Sequence, residues 1–180
     1  MNTQGTVMNN YMPAALFKFN LRDAGTLIGL LIIVVTFSFL SPVFFTTQNI
    51  LNILQQSSIN AAIAVGMTLV IISGGIDLSV GPTAALSAVL GTTLMVAGVP
   101  VMLAIPATLA IGALCGLFSG SLVAYAGLQP FIVTLGGLSL FRAIALIFTG
   151  GNPIFGIPVE FRNFMTGELF GIPCPVVIVI

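Results

Sequence analysis

The sequence predicts an all-α integral membrane protein, a polytopic bundle of transmembrane helices. Three observations carry this reading. Of the 180 residues, 58% are hydrophobic and 4% charged, whereas a soluble domain carries roughly a quarter charged residues. The apolar residues fall in long runs separated by Gly, Pro and Asn clusters, as spans are separated by connections. One break, Gly74-Gly75-Ile76-Asp77-Leu78-Ser79-Val80-Gly81-Pro82, is polar and rich in glycine. Hydrocarbon penalises a carboxylate and unpaired backbone groups alike. Such a segment persists only if protein or water surrounds it, or if it sits at the membrane surface.

The elements follow in chain order. Met1 to Asn20 is polar and reads as a tail. Lys18 and Arg22 precede the first span and few cations follow it, which assigns residues 1–23 to the cytoplasm. The first span is Ala24 to Leu40, ended by Ser41-Pro42 because proline disfavours helical backbone before it. Phe39 to Phe45 offers no small-residue cleavage site, so the span is retained and is not a signal peptide. Phe44 to Ser58 forms an amphipathic helix without charge, capped by Thr46 or Thr47. Ile50, Ile53, Leu54 and Ile59 share one face, and Asn49, Asn52, Gln55 and Gln56 lie elsewhere. It is either a surface helix leading into the next span or a helix whose amides face a water-filled path.

Ile59 to Ile72 and Thr83 to Ala97 are both short of the about 20 residues a crossing needs. Flanking the break, they have the pattern of the interrupted helices of transporters. Val99 to Ala126 is the longest run, with an expected kink at Pro106. Gly127-Leu128-Gln129-Pro130 makes a tight connection to a span over Phe131 to Thr149. Gly150 to Pro173 is a loop holding Glu160, Arg162 and Glu168. Pro175 to Ile180 begins another apolar segment too short to span, so residues 24–180 read as an incomplete transmembrane domain.

Few residues inside the apolar region carry chemistry. Arg142 lies mid-span, where an unpaired guanidinium costs about 2.5–3.5 kcal/mol. It either pairs with Asp77 or snorkels to headgroups. Asp77 or Ser79 can cap the helix that follows, with Pro82 in its first turn. Gly112, Gly116 and Gly120 recur on one helix face beside Cys115 and Ser119, which predicts a helix–helix seam.

Zero net charge argues against a nucleic-acid partner. The absence of His and the isolation of Cys115 and Cys174 argue against a metal, a haem or a disulfide framework, and no cofactor is implied. A Ser–His enzyme is impossible without His. An aspartyl dyad needs a second intramembrane carboxylate besides Asp77. An ion-coupled secondary transporter finds meagre support in one Asp and one Arg.

The string from Gly66 to Gly81 (GMTLVIISGGIDLSVG) closely resembles the permease subunits of ribose-type monosaccharide ABC importers. So does Leu40 to Gln56 (LSPVFFTTQNILNILQQ). Gln129-Pro130-Phe131-Ile132-Val133-Thr134-Leu135, then Arg142, then Thr149-Gly150-Gly151-Asn152-Pro153 fit the family in order. The resemblance covers about Leu40 to the end. It implies a many-span permease of the inner membrane that does no covalent chemistry. It also implies a second permease subunit, identical or a sister, a cytoplasmic ATP-binding subunit, and a periplasmic sugar-binding protein. The chain departs from the pattern by ending near its middle, before the loop that docks the ATP-binding subunit. Asn52, Gln55, Gln56, Asn60, Asp77, Ser79, Gln129 and Arg142 are the candidate path-lining or structural polar residues. Amides suit a hydroxyl-rich solute because they both donate and accept.

Overall fold

The computed structural model describes residues 21–169 and 172–179; the expected N-terminal tail, Met1 to Asn20, lies outside the described residues. The elements are α1 (Leu21–Leu40), α2 (Thr47–Ile72), α3 (Val80–Val96), α4 (Val101–Ala124), α5 (Pro130–Thr149), α6 (Val159–Thr166), β1 (Glu168–Leu169), β2 (Ile172–Pro173) and α7 (Cys174–Val179). The chain divides into two units, Met1–Ile50 and Leu51–Ile180.

In the first unit α1 stops at Leu40, just ahead of Pro42. The hydroxyls of Thr36 and Ser38 bond the carbonyls four residues back, so neither is left unpaired in an apolar helix. Phe37 stacks on Phe44 at 6.1 Å between centroids. Thr46, one of the two expected caps, accepts the Asn49 N–H on its hydroxyl at 3.3 Å. The Asn49 amide donates to the Phe44 carbonyl at 2.8 Å and is thereby used in the turn.

In the second unit the amphipathic stretch and the apolar run after it form one helix. α2 is continuous over 26 residues, and α2, α4 and α5 are each long and apolar enough to cross a membrane. The two pieces flanking the break are therefore unequal. α3 has 17 residues, about 25 Å of helix against a hydrocarbon core of about 30 Å. α4 runs unbroken through Pro106. Between α5 and α7 the chain adds α6 and a two-stranded antiparallel pair with Glu168 opposite Pro173 and Leu169 opposite Ile172.

α3 is the central element, packed against α4 on one side and α5 on the other. The core is Leu86 of α3, Cys115 of α4, and Phe141 and Ala145 of α5, with Val89, Leu90 and Ile144 against it. Phe118 meets the edge of Phe141 at 6.5 Å. Lipid tails are as apolar as leucine, so close backbone approach and dispersion hold such helices together. A Cβ on Gly91 would run into the Thr108 side chain, one on Gly112 would come within 3.2 Å of Ser87 Oγ, and one on Gly137 within 3.2 Å of Ser79 Cβ. The first two pairs make α3 antiparallel to α4, and Ser79 at Gly137 together with Leu86 beside Phe141 and Ala145 makes it parallel to α5.

The expected glycine seam is thus only partly a seam. Gly112 packs against α3, but a Cβ on Gly116 or Gly120 would meet nothing within 4 Å. The two open glycines lie toward the C-terminal end of α4, beyond the Ser87 contact.

Gly91→Val forces a side chain into Thr108 and is expected to cost about 1–3 kcal/mol. Gly116→Ala meets no atom and should leave stability unchanged or raise it through helix propensity. Thermal unfolding of both variants in detergent micelles checks the contrast.

Candidate functional site

The break begins where α2 closes. Gly75 N–H bonds the Val70 carbonyl at 3.0 Å and Gly74 N–H bonds Ile71 at 2.9 Å. With Gly74 at φ +80°, this is a Schellman closure, and a side chain there would be strained. The Ser73 hydroxyl also donates to Val70, at 2.7 Å.

Asp77 organises the other end. Its Oδ1 accepts the Ser79 backbone N–H at 2.7 Å and the Ser79 hydroxyl at 2.6 Å. Ser79 is 2% exposed and lies against Gly137. It is the N-cap of α3; its hydroxyl donates to Asp77 and accepts no helical N–H, the residue having helical rather than extended backbone. The capping expectation is corrected accordingly: Asp77 secures the residue ahead of the helix, and the Ser79 carbonyl accepts the first helical N–H, from Thr83, at 2.8 Å.

α5 holds the break from the side. The Thr134 hydroxyl reaches the Ile76 carbonyl at 3.1 Å, sharing its proton with the Pro130 carbonyl at 2.9 Å. Thr134 is one turn into α5 and Gly137 two, so the break lies about 6–10 Å past the first residue of that helix. It sits within the helical layer.

Beside the break is a cavity of about 390 Å³. Ser73 to Asp77 form one wall, Gly116, Ser119, Gly120 and Val123 of α4 a second, and Pro130 and Thr134 of α5 a third. Ser119 is buried and its Oγ has no hydrogen-bond partner among the described residues. Asp77 Oδ2 has no donor among the described residues, since both Ser79 bonds go to Oδ1. The cavity therefore holds unspent acceptor capacity in an apolar bundle. The two glycines expected to pack, Gly116 and Gly120, instead give it room.

The other expected residues fall elsewhere. Asn52, Gln56 and Asn60 are exposed along one strip of α2. Gln55 is half-buried and its Nε2 donates to the Met165 carbonyl at 3.4 Å, which ties α2 to α6. Gln129 is the exposed N-cap of α5. Arg142 is exposed in a separate cavity of about 520 Å³ with Thr149 and Asn152. The expected Asp77–Arg142 pair is not formed; Asp77 is engaged by Ser79, and Arg142 lies more than a turn beyond Gly137 on α5. Sequence reasoning missed Thr134 and gave Ser119 only a packing role. The available signal was Ser119 standing on the stripe of Gly116 and Gly120.

Residues 49–173 match the family model described as branched-chain amino acid transport system, permease component. The chain belongs to that permease family. Among curated permeases, it is 43% identical to the ribose import permease protein of Haemophilus influenzae over 87% of this chain and 50% of the relative. It is 43% identical to the D-allose transport system permease protein of Escherichia coli over 85% of this chain and 48% of the relative. It is 45% identical to the autoinducer 2 import system permease protein of Yersinia pseudotuberculosis over 64% of this chain and 37% of the relative. The chain spans about half the length of the ribose and allose permeases it matches. No solved structure matches it.

In this permease chain Thr134→Val removes the bond to Ile76 and is expected to cost about 1 kcal/mol. Faster hydrogen exchange in the peptide containing Gly75 to Ser79 is the readout. Asp77→Asn keeps an acceptor for Ser79, so its exchange should stay near wild type, whereas Asp77→Leu should match or exceed Thr134→Val.

Proposed function

We propose that this chain forms part of the permease subunit of an ATP-driven importer. The solute is a monosaccharide, ribose or a related pentose or hexose, and the membrane is the bacterial inner membrane. The cavity at the break carries the reading. Its volume falls in the about 300–1,000 Å³ range of small-molecule sites. Asp77 Oδ2 can only accept, and the Ser119 hydroxyl can donate or accept. A sugar hydroxyl does both and so complements the pair. The names of the ribose and D-allose relatives support the same solute class.

The family description names branched-chain amino acids, and the cavity disfavours them. The ammonium of a zwitterion suits Asp77, but its carboxylate needs a cation or several donors. The charged residue of this cavity is Asp77, which has the same sign, and Arg142 lines the other cavity. A neutral polyol meets no such repulsion.

In this reading the permease does no covalent chemistry and holds no cofactor. A cytoplasmic ATP-binding subunit hydrolyses ATP, a periplasmic sugar-binding protein delivers the solute, and a second permease subunit, identical or a sister, completes the pathway. Residues 24–180 belong to the transmembrane domain, and residues 1–23 are a cytoplasmic tail. The strip of Asn52, Gln56 and Asn60 on α2 is a second polar surface for the same path.

Gly120→Trp fills the cavity and is expected to reduce uptake of radiolabelled ribose by the assembled importer at least about tenfold, the loss expected for blocking an essential site. Asn60→Leu should reduce uptake less. Both variants are compared at equal membrane abundance. Uptake that survives ATP depletion but collapses with the ion gradient would point to a secondary transporter.

A further inference from the structure

The cavity around Arg142 has different chemistry from the one at the break. Its walls are Pro82, Ala85 and Val89 of α3 and Ala145 and Leu146 of α5, all apolar. Into this trough is set one full positive charge. Arg142 stands seven residues before Thr149, about 10 Å down the helix. Thr149 and Asn152, at the helix end, line the same cavity, so the trough runs from the guanidinium to the end of α5. α5 closes there through Gly150 at φ +59°, with Gly151 N–H bonded to Leu146 at 3.2 Å.

None of the guanidinium N–H groups meets a protein acceptor among the described residues. Of the acids whose side chains are described, Asp77 lines the cavity at the break and Glu160 lines a third, beside the α3–α4 connection. The Thr149 hydroxyl donates to the Ala145 carbonyl and the Asn152 amide to the Gly150 carbonyl, so both polar neighbours spend their donors on the backbone. A charge in an apolar wall requires an anion or water. A groove that is cationic at one point and apolar along its length matches an amphiphile with an anionic head. It does not match a sugar, which has neither charge nor tail.

We propose that this cavity binds an anionic phospholipid. The phosphate sits toward the Thr149 and Asn152 end of the trough and accepts from Arg142, whose planar fork suits bidentate contact and whose stem lets the charge reach up to it; an acyl chain runs inward past Ala85 and Pro82. The site is independent of the solute reading, because the two cavities share no lining residue and lie at different levels along α5, Pro130 and Thr134 lining one and Arg142 to Thr149 the other.

Native mass spectrometry of the purified protein in micelles, with phosphatidylglycerol and phosphatidylcholine added at equal concentration, tests the proposal. Wild type should retain phosphatidylglycerol with a preference of roughly fivefold, the scale set by one basic residue at a membrane surface. Arg142→Gln should abolish the preference, Arg142→Lys should keep most of it, and Arg162→Gln, which changes a cation outside the cavity, should leave it intact. Val89→Trp fills the trough with Arg142 in place and should also abolish it, which keeps the test decisive if Arg142→Gln fails to fold. A preference that survives Val89→Trp or Arg142→Gln, or is lost in Arg162→Gln, overturns the proposal. Displacement of the lipid by millimolar inorganic phosphate overturns it as well, since the site would then take free phosphate.

Discussion

The hydrogen bond from Thr134 to the Ile76 carbonyl is the interaction on which the rest of this structure depends. A helix satisfies its own backbone, but the chain between α2 and α3 cannot. Within hydrocarbon that deficit must be met by neighbouring protein. Thr134 meets it from α5, Gly74 meets it through the Schellman closure, and Asp77 meets it at Ser79. Side chains add polar capacity beside these bonds: one oxygen of Asp77 and the hydroxyl of Ser119. That capacity defines the cavity.

The small-residue stripe of α4 is divided between two surroundings. Gly112 packs against Ser87 of α3, while Gly116 and Gly120 face open space. The same stripe therefore serves as a helix contact at one end and as a cavity wall at the other. Ser87 and Thr108 lie on the packed part and bond the carbonyls four residues back. Ser119 lies on the open part and does not.

α3–α5 packing also separates the two intramembrane charges. Asp77 and Arg142 would have neutralised each other had they shared a cavity. Instead Ser79 against Gly137 stands between an acidic cavity and a basic one. An acceptor-rich space suited to hydroxyls and a cationic trough suited to an anion then coexist in a bundle that is otherwise apolar.

Much of this was determined by composition and local pattern. Apolar runs, the prolines at Pro42 and Pro130, the cap at Thr46 and the glycine at Gly74 act over a few residues, so the spans and their ends follow from the chain itself. The family resemblance rests on the same strings. What the sequence could not decide is which polar residues meet, because that depends on helices brought together across tens of residues. Thr134 is separated from Ile76 by 58 positions, and nothing near either residue announces the other. For the same reason the pairing of Asp77 with Arg142 was plausible by charge and failed by register, and a uniform glycine stripe proved packed at Gly112 and open at Gly116 and Gly120.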